Sequence, residues 1–198
     1  MKGQIIKISS NNHIVFSNNK TYTCVLRGKF RKDKLIPKVG DYVIFDPDKL
    51  VIDEILERKN NFDRPMVSNI DQAFIVTSLL NPNFSLNLLD RLLILMELHK
   101  VKSIICITKK DLTSFDYYEK IKLVLAYYNK IGYNIVTNQD LEKIKILIKD
   151  QTNVFVGQSG AGKSTLLNKL NPNWNLKTGE ISLALGRGRH TTRHVELL

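Results

Sequence analysis

Eight consecutive residues carry the clearest chemistry in this sequence: Gly157-Gln158-Ser159-Gly160-Ala161-Gly162-Lys163-Ser164, with Thr165 next. Their spacing is G-x-x-x-x-G-K-[ST], the pattern of a loop that wraps a phosphate chain. The glycines let backbone N–H groups turn inward onto phosphate oxygens, and the N-terminus of a following helix adds partial positive charge. Lys163 is spaced to reach the outer phosphates of a nucleoside triphosphate, and the Ser164 hydroxyl suits Mg²⁺. The flanks agree with this. Asn153-Val154-Phe155-Val156 is a short apolar run suited to a buried strand, and residues 165–170 read as a helix. The plain alternative is a glycine-rich turn beside a surface lysine; the strand–loop–helix setting favours the nucleotide.

A second constellation is Thr108-Lys109-Lys110-Asp111, at the end of another apolar run. A carboxylate placed there accepts from guanine N1–H and the exocyclic amine together. Adenine has no such pair of donors, so the wrong base would leave the carboxylate unpaired. The Lys109 stem has the length to lie along the base plane. Four such residues alone are more often a helix start with Asp near its cap. Joined to a phosphate loop on the same sheet, they read as a guanine site.

The elements that must position these groups are legible as two patterns. Residues 1–62 read as all-β, with strands over 4–8, 13–16, 21–26, 42–45 and 51–56 separated by polar turns. Five short strands fit an OB-like barrel, with a small SH3-like barrel as the competing choice. Between the third and fourth strands lie Arg27, Lys29, Phe30, Arg31, Lys32 and Lys34. Such a loop neutralises phosphates while its one aromatic stacks on a base. The alternative is a solvated loop whose Phe30 tucks onto the barrel. Residues 57–65 are polar, end in proline and read as the domain boundary.

From residue 63 onward the pattern is α/β. Buried strands are expected at 73–79, 103–108, 133–137 and 153–156. Helical stripes fall on Leu88, Leu89, Leu92, Leu95 and Met96, on Ile121, Val124, Leu125, Tyr128 and Ile131, and on Leu141, Ile144, Leu147 and Ile148. Alternating strands and helices imply a parallel sheet with ligands at the C-terminal strand ends.

Composition bounds the rest. At 198 residues, 43% hydrophobic and 25% charged, the chain has the makings of packed cores. No apolar run approaches a membrane span, and no secretory segment opens the sequence. Cys24 and Cys106 are the only cysteines, so a reduced, cytoplasmic protein is expected. The net charge of +11 suggests a polyanionic partner beyond one nucleotide. A lysine-rich coding bias is the alternative source of that charge.

The order of the motifs is unusual. Thr108-Lys109-Lys110-Asp111 resembles the base-specificity motif of GTPases, yet it precedes the phosphate loop instead of coming after it. Thr137 and Asn138 stand where the next base-contacting motif would fall, although Asn138 departs from its usual alanine. The second half of a GTPase domain thus comes before the first, as in a circular permutation. With a basic OB-like domain ahead of it, the chain resembles the RsgA family of permuted GTPases. The stretches that carry the likeness are residues 27–31, Val39-Gly40-Asp41, Arg64-Pro65, 69–72, 108–111, 157–170, 178–182 and 186–197. The resemblance implies GTP and GDP as ligands, Mg²⁺ as cofactor, and the small ribosomal subunit with its rRNA as partner. It also implies turnover stimulated by the ribosome. No membrane partner and a monomer are expected.

By the same resemblance, residues 186–197 form switch I. Either Thr191 or Thr192 then supplies a hydroxyl to Mg²⁺, and His190 is the candidate for positioning the attacking water. Contact with RNA is the other reading of that loop. The family's D-x-x-G segment and its C-terminal zinc module find no counterpart here, since no Asp comes after Asp150 and no Cys after Cys106. The expectation is therefore a C-terminally truncated chain, with a hydrolysis-deficient rRNA-binding module as the alternative function. An ATPase that happens to carry the base motif is a further alternative.

Overall fold

The computed structural model describes residues 1–28, 30, 36–176 and 197. They fall into two compact units, the first built on residues 1–70 with Leu197, the second on residues from 71 onward.

In the first unit, alternation of apolar and polar residues with many β-branched side chains makes five strands: β1 (Lys2–Ser9), β2 (Asn12–Ser17), β3 (Lys20–Leu26), β4 (Tyr42–Asp46) and β5 (Val51–Ile55). They close into a barrel in the order β1-β2-β3-β5-β4, with β3 and β5 parallel and the other pairs antiparallel. This is the OB-like arrangement. Period-two patterning turns Ile5, Val15, Cys24, Val43, Phe45 and Ile52 inward to form the core. A bulge lies between Ile5 and Lys7, and Leu197 donates its backbone N–H to the Ile6 carbonyl there (2.8 Å).

Phe30 sits in the same core, 6% exposed. This corrects the expectation of a base-stacking ring: an aromatic loop residue between two strands gains more by filling the barrel than by facing water. Its neighbours Lys29, Arg31, Lys32 and Lys34 lie outside the described residues.

The polar stretch after β5 is more structured than its composition suggests. It forms a hairpin, β6 (Asn61–Asp63) and β7 (Met66–Ser68). Asp41, fully buried, accepts from Arg58 Nε (2.7 Å) and Nη2 (2.8 Å), the Lys38 backbone N–H (2.7 Å) and Ser68 Oγ (2.6 Å). Lys38, buried, donates to the Phe62 carbonyl and to Asp63 Oδ1, each at 2.6 Å. Gly40 adopts a positive φ of 97°, and a Cβ there would stand 2.2 Å from the Ser68 carbonyl oxygen. Charged hydrogen bonds fasten this hairpin together with its buried apolar residues, Phe62 and Val67.

In the second unit, β8 (Gln72–Ser78), β9 (Lys102–Thr108), β10 (Asn134–Thr137) and β11 (Asn153–Val156) form a parallel sheet in the order β10-β9-β8-β11. Between them run α1 (Leu86–Leu98), α2 (Phe115–Lys130) and α3 (Leu141–Ile148), and α4 (Lys163–Leu170) comes after β11. Ser85 caps α1 and Ser114 caps α2 through their side-chain oxygens. The central strands are buried over nearly their whole length, as near-continuous apolar runs require. Phe74, Val76, Ile104, Cys106 and Val136 pack with Ile144, Ala161 and Leu166, and the Phe74 and Phe155 rings stack at 4.7 Å. No helix among the described residues is long and apolar enough to cross a membrane.

Two measurements test the forces in the barrel unit. Removing the buried Asp41 carboxylate takes the acceptor from the Arg58 guanidinium, the Lys38 N–H and the Ser68 hydroxyl at once, so Asp41→Ala should cost about 3–5 kcal/mol in urea unfolding. The second concerns pH. Burial pushes the His13 imidazole below its ordinary value of 6.5, against an opposing effect of backbone hydrogen bonds with Cys24 and Asn11. The unfolded chain therefore takes up this proton first as pH falls. Stability fully present above pH 6.5 is lost progressively below it. His13→Gln should flatten that part of the stability–pH curve; an unchanged slope would overturn the assignment.

Candidate functional site

In a parallel sheet every strand ends on the same edge, so the loops that leave the strand ends gather there. Here residue 157 comes directly after β11, Leu79 after β8, Lys109 after β9 and Asn138 after β10. The phosphate loop and the base motif leave strands two places apart in the sheet, roughly 10 Å. That span suits a nucleotide lying across β8 with its base toward β9.

The loop's shape comes from its glycines. Gly157 has φ +150°, and a Cβ there would lie 2.0 Å from the Val76 carbonyl oxygen, so only glycine lets β11 turn away against β8. Gly162, at φ +91°, is the N-cap of α4 and leaves the first turn without a side-chain cap. The N–H groups of that turn are thus free of the side-chain partner that helix starts usually have, as an anion site requires. Gln158, Ser159 and Thr165 are exposed, Gly160 is half-buried at φ +76°, and Ala161 is buried.

Lys163 reaches back over the loop. Its ammonium donates to the Gly157 and Gln158 carbonyls, both at 2.9 Å. Burial lowers its pKa. The ammonium is held at the loop's mouth by two neutral carbonyls, where phosphate oxygens would be stronger partners.

Thr108 joins the two halves of the site. Its buried hydroxyl donates to the Ala161 carbonyl at 2.6 Å, and its own carbonyl accepts from the Leu79 N–H at 3.1 Å. The sequence offered Thr108 as a base-motif residue; the structure adds its bond to the phosphate loop. Lys109 is left-handed at φ +57°, and its ammonium donates to the Asn81 carbonyl. Burial lowers its pKa, opposed by the charge of Asp111. Lys110 lies over the Tyr118 ring at 4.1 Å, and Asp111 is exposed on a 3₁₀ turn, Lys110–Leu112.

At the end of β10, Asp140 accepts from the Thr137 N–H (2.7 Å) and hydroxyl (2.9 Å), while the Asn138 N–H donates to the Ile107 carbonyl (2.9 Å). Those bonds from Thr137 hold the Asp140 carboxyl below the usual range, against the opposing effect of burial and with help from Lys143 and Lys110. Asp140 was missed from sequence. Its signal was an Asp immediately ahead of the apolar run of α3.

The Ser164 hydroxyl, half-buried in the first turn of α4, is the described donor that suits Mg²⁺. That ion takes most of its ligands from phosphate and water, and one hydroxyl at an uncapped helix start fits it. Among the described residues no group of three His, Cys, Asp or Glu side chains forms a metal cage. Thr191, Thr192 and His190 lie outside the described residues. Arg27, from the loop after β3, forms an ion pair with Asp53 at 2.8 Å.

Thr108→Val keeps the shape and removes the donor to Ala161. It leaves a buried carbonyl unpaired, a loss of about 1–3 kcal/mol. Both thermal stability and guanine-nucleotide affinity should fall; unchanged affinity would show that the loop holds its form without Thr108.

Two family models match this chain in separate segments. A family model described as RsgA GTPase matches residues 54–198, and one described as the RsgA N-terminal domain matches residues 2–50. A small ribosomal subunit biogenesis GTPase RsgA from Latilactobacillus sakei is 47% identical over 206 residues, covering 99% of this chain and 69% of the relative. An RsgA 1 from Listeria monocytogenes is 49% identical over 205 residues, covering 100% and 70%. Among solved structures, YjeQ from Thermotoga maritima superposes with a TM-score of 0.79 at 33% identity, covering 90% of this chain and 67% of that one. YloQ, described as a circularly permuted GTPase, gives 0.72 at 41%, covering 87% and 64%.

Proposed function

This chain belongs to the RsgA family of circularly permuted GTPases, and from that membership and the site's geometry we propose that it binds and hydrolyses GTP in the assembly of the small ribosomal subunit. The observation that carries the reading is the meeting of a glycine phosphate loop and a T-K-x-D turn on one sheet edge, tied by Thr108 to Ala161.

In this reading the loop N–H groups and the start of α4 hold the phosphates. Lys163 leaves the Gly157 and Gln158 carbonyls for the outer phosphates and draws charge from them as the terminal P–O bond breaks. Asp111 accepts from the guanine N1–H and amine, and Lys109 lies along the base. Thr137 and Asn138 close the far side of the base, and Asp140 positions them. Ser164 would hold Mg²⁺, which would supply charge neutralisation. The roles of Thr191 and Thr192 in that coordination, and of His190 in placing water, carry over from the family likeness.

The partner is the small subunit and its rRNA, reached in the cytoplasm and stimulating turnover. The relatives' names support the assembly role, and the +11 charge supports an RNA partner. Neither the structure nor the comparisons favour the hydrolysis-deficient alternative.

The test is nucleotide selectivity and stimulation. The chain should prefer GTP to ATP, and Asp111→Asn should lower GTP affinity by about ten-fold or more while leaving ATP affinity unchanged. GTP turnover should rise on adding small subunits. Equal binding of GTP and ATP by the unsubstituted chain would overturn the guanine site, and turnover indifferent to subunits would overturn the partner.

A further inference from the structure

With Phe30 in the barrel core, the aromatic groups available to a partner on this unit lie elsewhere. In the barrel register, Gln4 of β1 is paired with Phe16 of β2 on one side and with Tyr42 of β4 on the other. Paired residues share a face, so Phe16, Gln4 and Tyr42 form a row across the outside of the barrel. Phe16 is 44% exposed and Tyr42 is 38% exposed. Thr21 of β3 extends the row beyond Phe16.

The charge around this row is one-sided. Residues 1–28 contain no Asp or Glu, and Asp33 is the first acidic residue of the chain. Strands β1 to β3 therefore carry cations alone. Lys2 lies over the Tyr42 ring at 5.3 Å. Among the barrel strands the carboxylates come from β4 and β5: Asp46 stands on the strand of Tyr42 and Glu54 is paired with Ile44 there, so the cations gather toward β1 to β3.

Resting on the reading of RNA as partner, we propose that this outer row is a stacking surface for unpaired bases of single-stranded RNA, with Phe16 and Tyr42 as platforms and Lys2 as a phosphate contact. The two rings stand on strands two places apart, roughly 10 Å. That is too far for adjacent bases that remain stacked on each other, so the occupant is a splayed, unpaired strand and not an A-form duplex. A base on Tyr42 displaces the Lys2 ammonium from the ring toward the neighbouring phosphate. Stacking of this kind tolerates any base, and the lysine adds affinity without sequence preference.

The experiment uses the full chain and a fluorescein-labelled twelve-nucleotide oligouridylate, read by anisotropy across a salt series. The single strand should bind more tightly than an RNA duplex of the same length. Phe16→Ala and Tyr42→Ala should each weaken binding about five-fold or more, with the salt slope unchanged. Lys2→Gln should reduce that slope by about 0.7. Phe16→Tyr should bind as the parent does. Thermal melts and GTP turnover should be unaffected in the alanine variants, because both side chains lie on the barrel surface. Unaltered affinity in both alanine variants, or preference for the duplex, would place RNA elsewhere while leaving RNA as the partner. A parent chain that binds no RNA would overturn both readings. Loss of GTP turnover with this RNA binding intact would count against the GTPase reading alone.

Discussion

The hydrogen bond from the Thr108 hydroxyl to the Ala161 carbonyl is the contact on which the nucleotide site depends. A phosphate loop works by turning its N–H groups inward, so its carbonyls must find donors elsewhere. Ala161 receives one from Thr108, 53 residues earlier in the chain, while Gly157 and Gln158 receive theirs from Lys163. The Ala161 bond is buried and is made from within the base motif itself. Gly157 completes the arrangement from below, where its missing Cβ lets the loop lie against the Val76 carbonyl. Phosphate end and base end are thereby joined by a buried hydrogen bond, although they come from distant segments.

That local stitching explains why the unusual motif order is tolerated. The site needs the C-terminal ends of β8, β9, β10 and β11 in register on one edge, and it is indifferent to which strand is made first. Parallel pairing of Thr108 with Ser78, Thr137 with Ile107 and Val156 with Ile75 fixes that register. At the opposite end of the strands, Gln72 donates to the Leu147 carbonyl and to Asn153 Oδ1, and Asp71 accepts from the Thr152 N–H. This closes the non-functional edge with polar bonds specific to this connectivity.

The barrel unit is held by a different balance of forces. Its interior is apolar and includes Phe30, whereas its hairpin is secured by Asp41 and Lys38, both buried and both hydrogen-bonded. A buried ion pair adds little net stability over an apolar contact, but a misplaced partner leaves a charge unpaired, which is costly. The arrangement therefore specifies one position for the hairpin more than it strengthens the fold. Separation of acids from cations among the barrel strands leaves β1 to β3 free of carboxylates.

Periodicity and spacing in the sequence determined most of this protein's plan: five barrel strands, an α/β unit with a parallel sheet, a phosphate loop and a guanine motif in permuted order. Those features depend on neighbours along the chain, where burial alternates by two or by about four and a loop's glycines are contiguous. The hairpin at 61–68 was not legible, because its strands are three residues long and its partners, Asp41 and Lys38 among them, lie elsewhere along the chain. Asp140 and the bond from Thr108 to Ala161 were hidden for the same reason. Phe30 and Phe16 show the division most plainly. Both are aromatic residues in basic, acid-free or nearly acid-free surroundings, and either is a stacking candidate by type. Only the closed barrel decided their places: Phe30, between β3 and β4, fills its interior, while strand register turns Phe16 toward water.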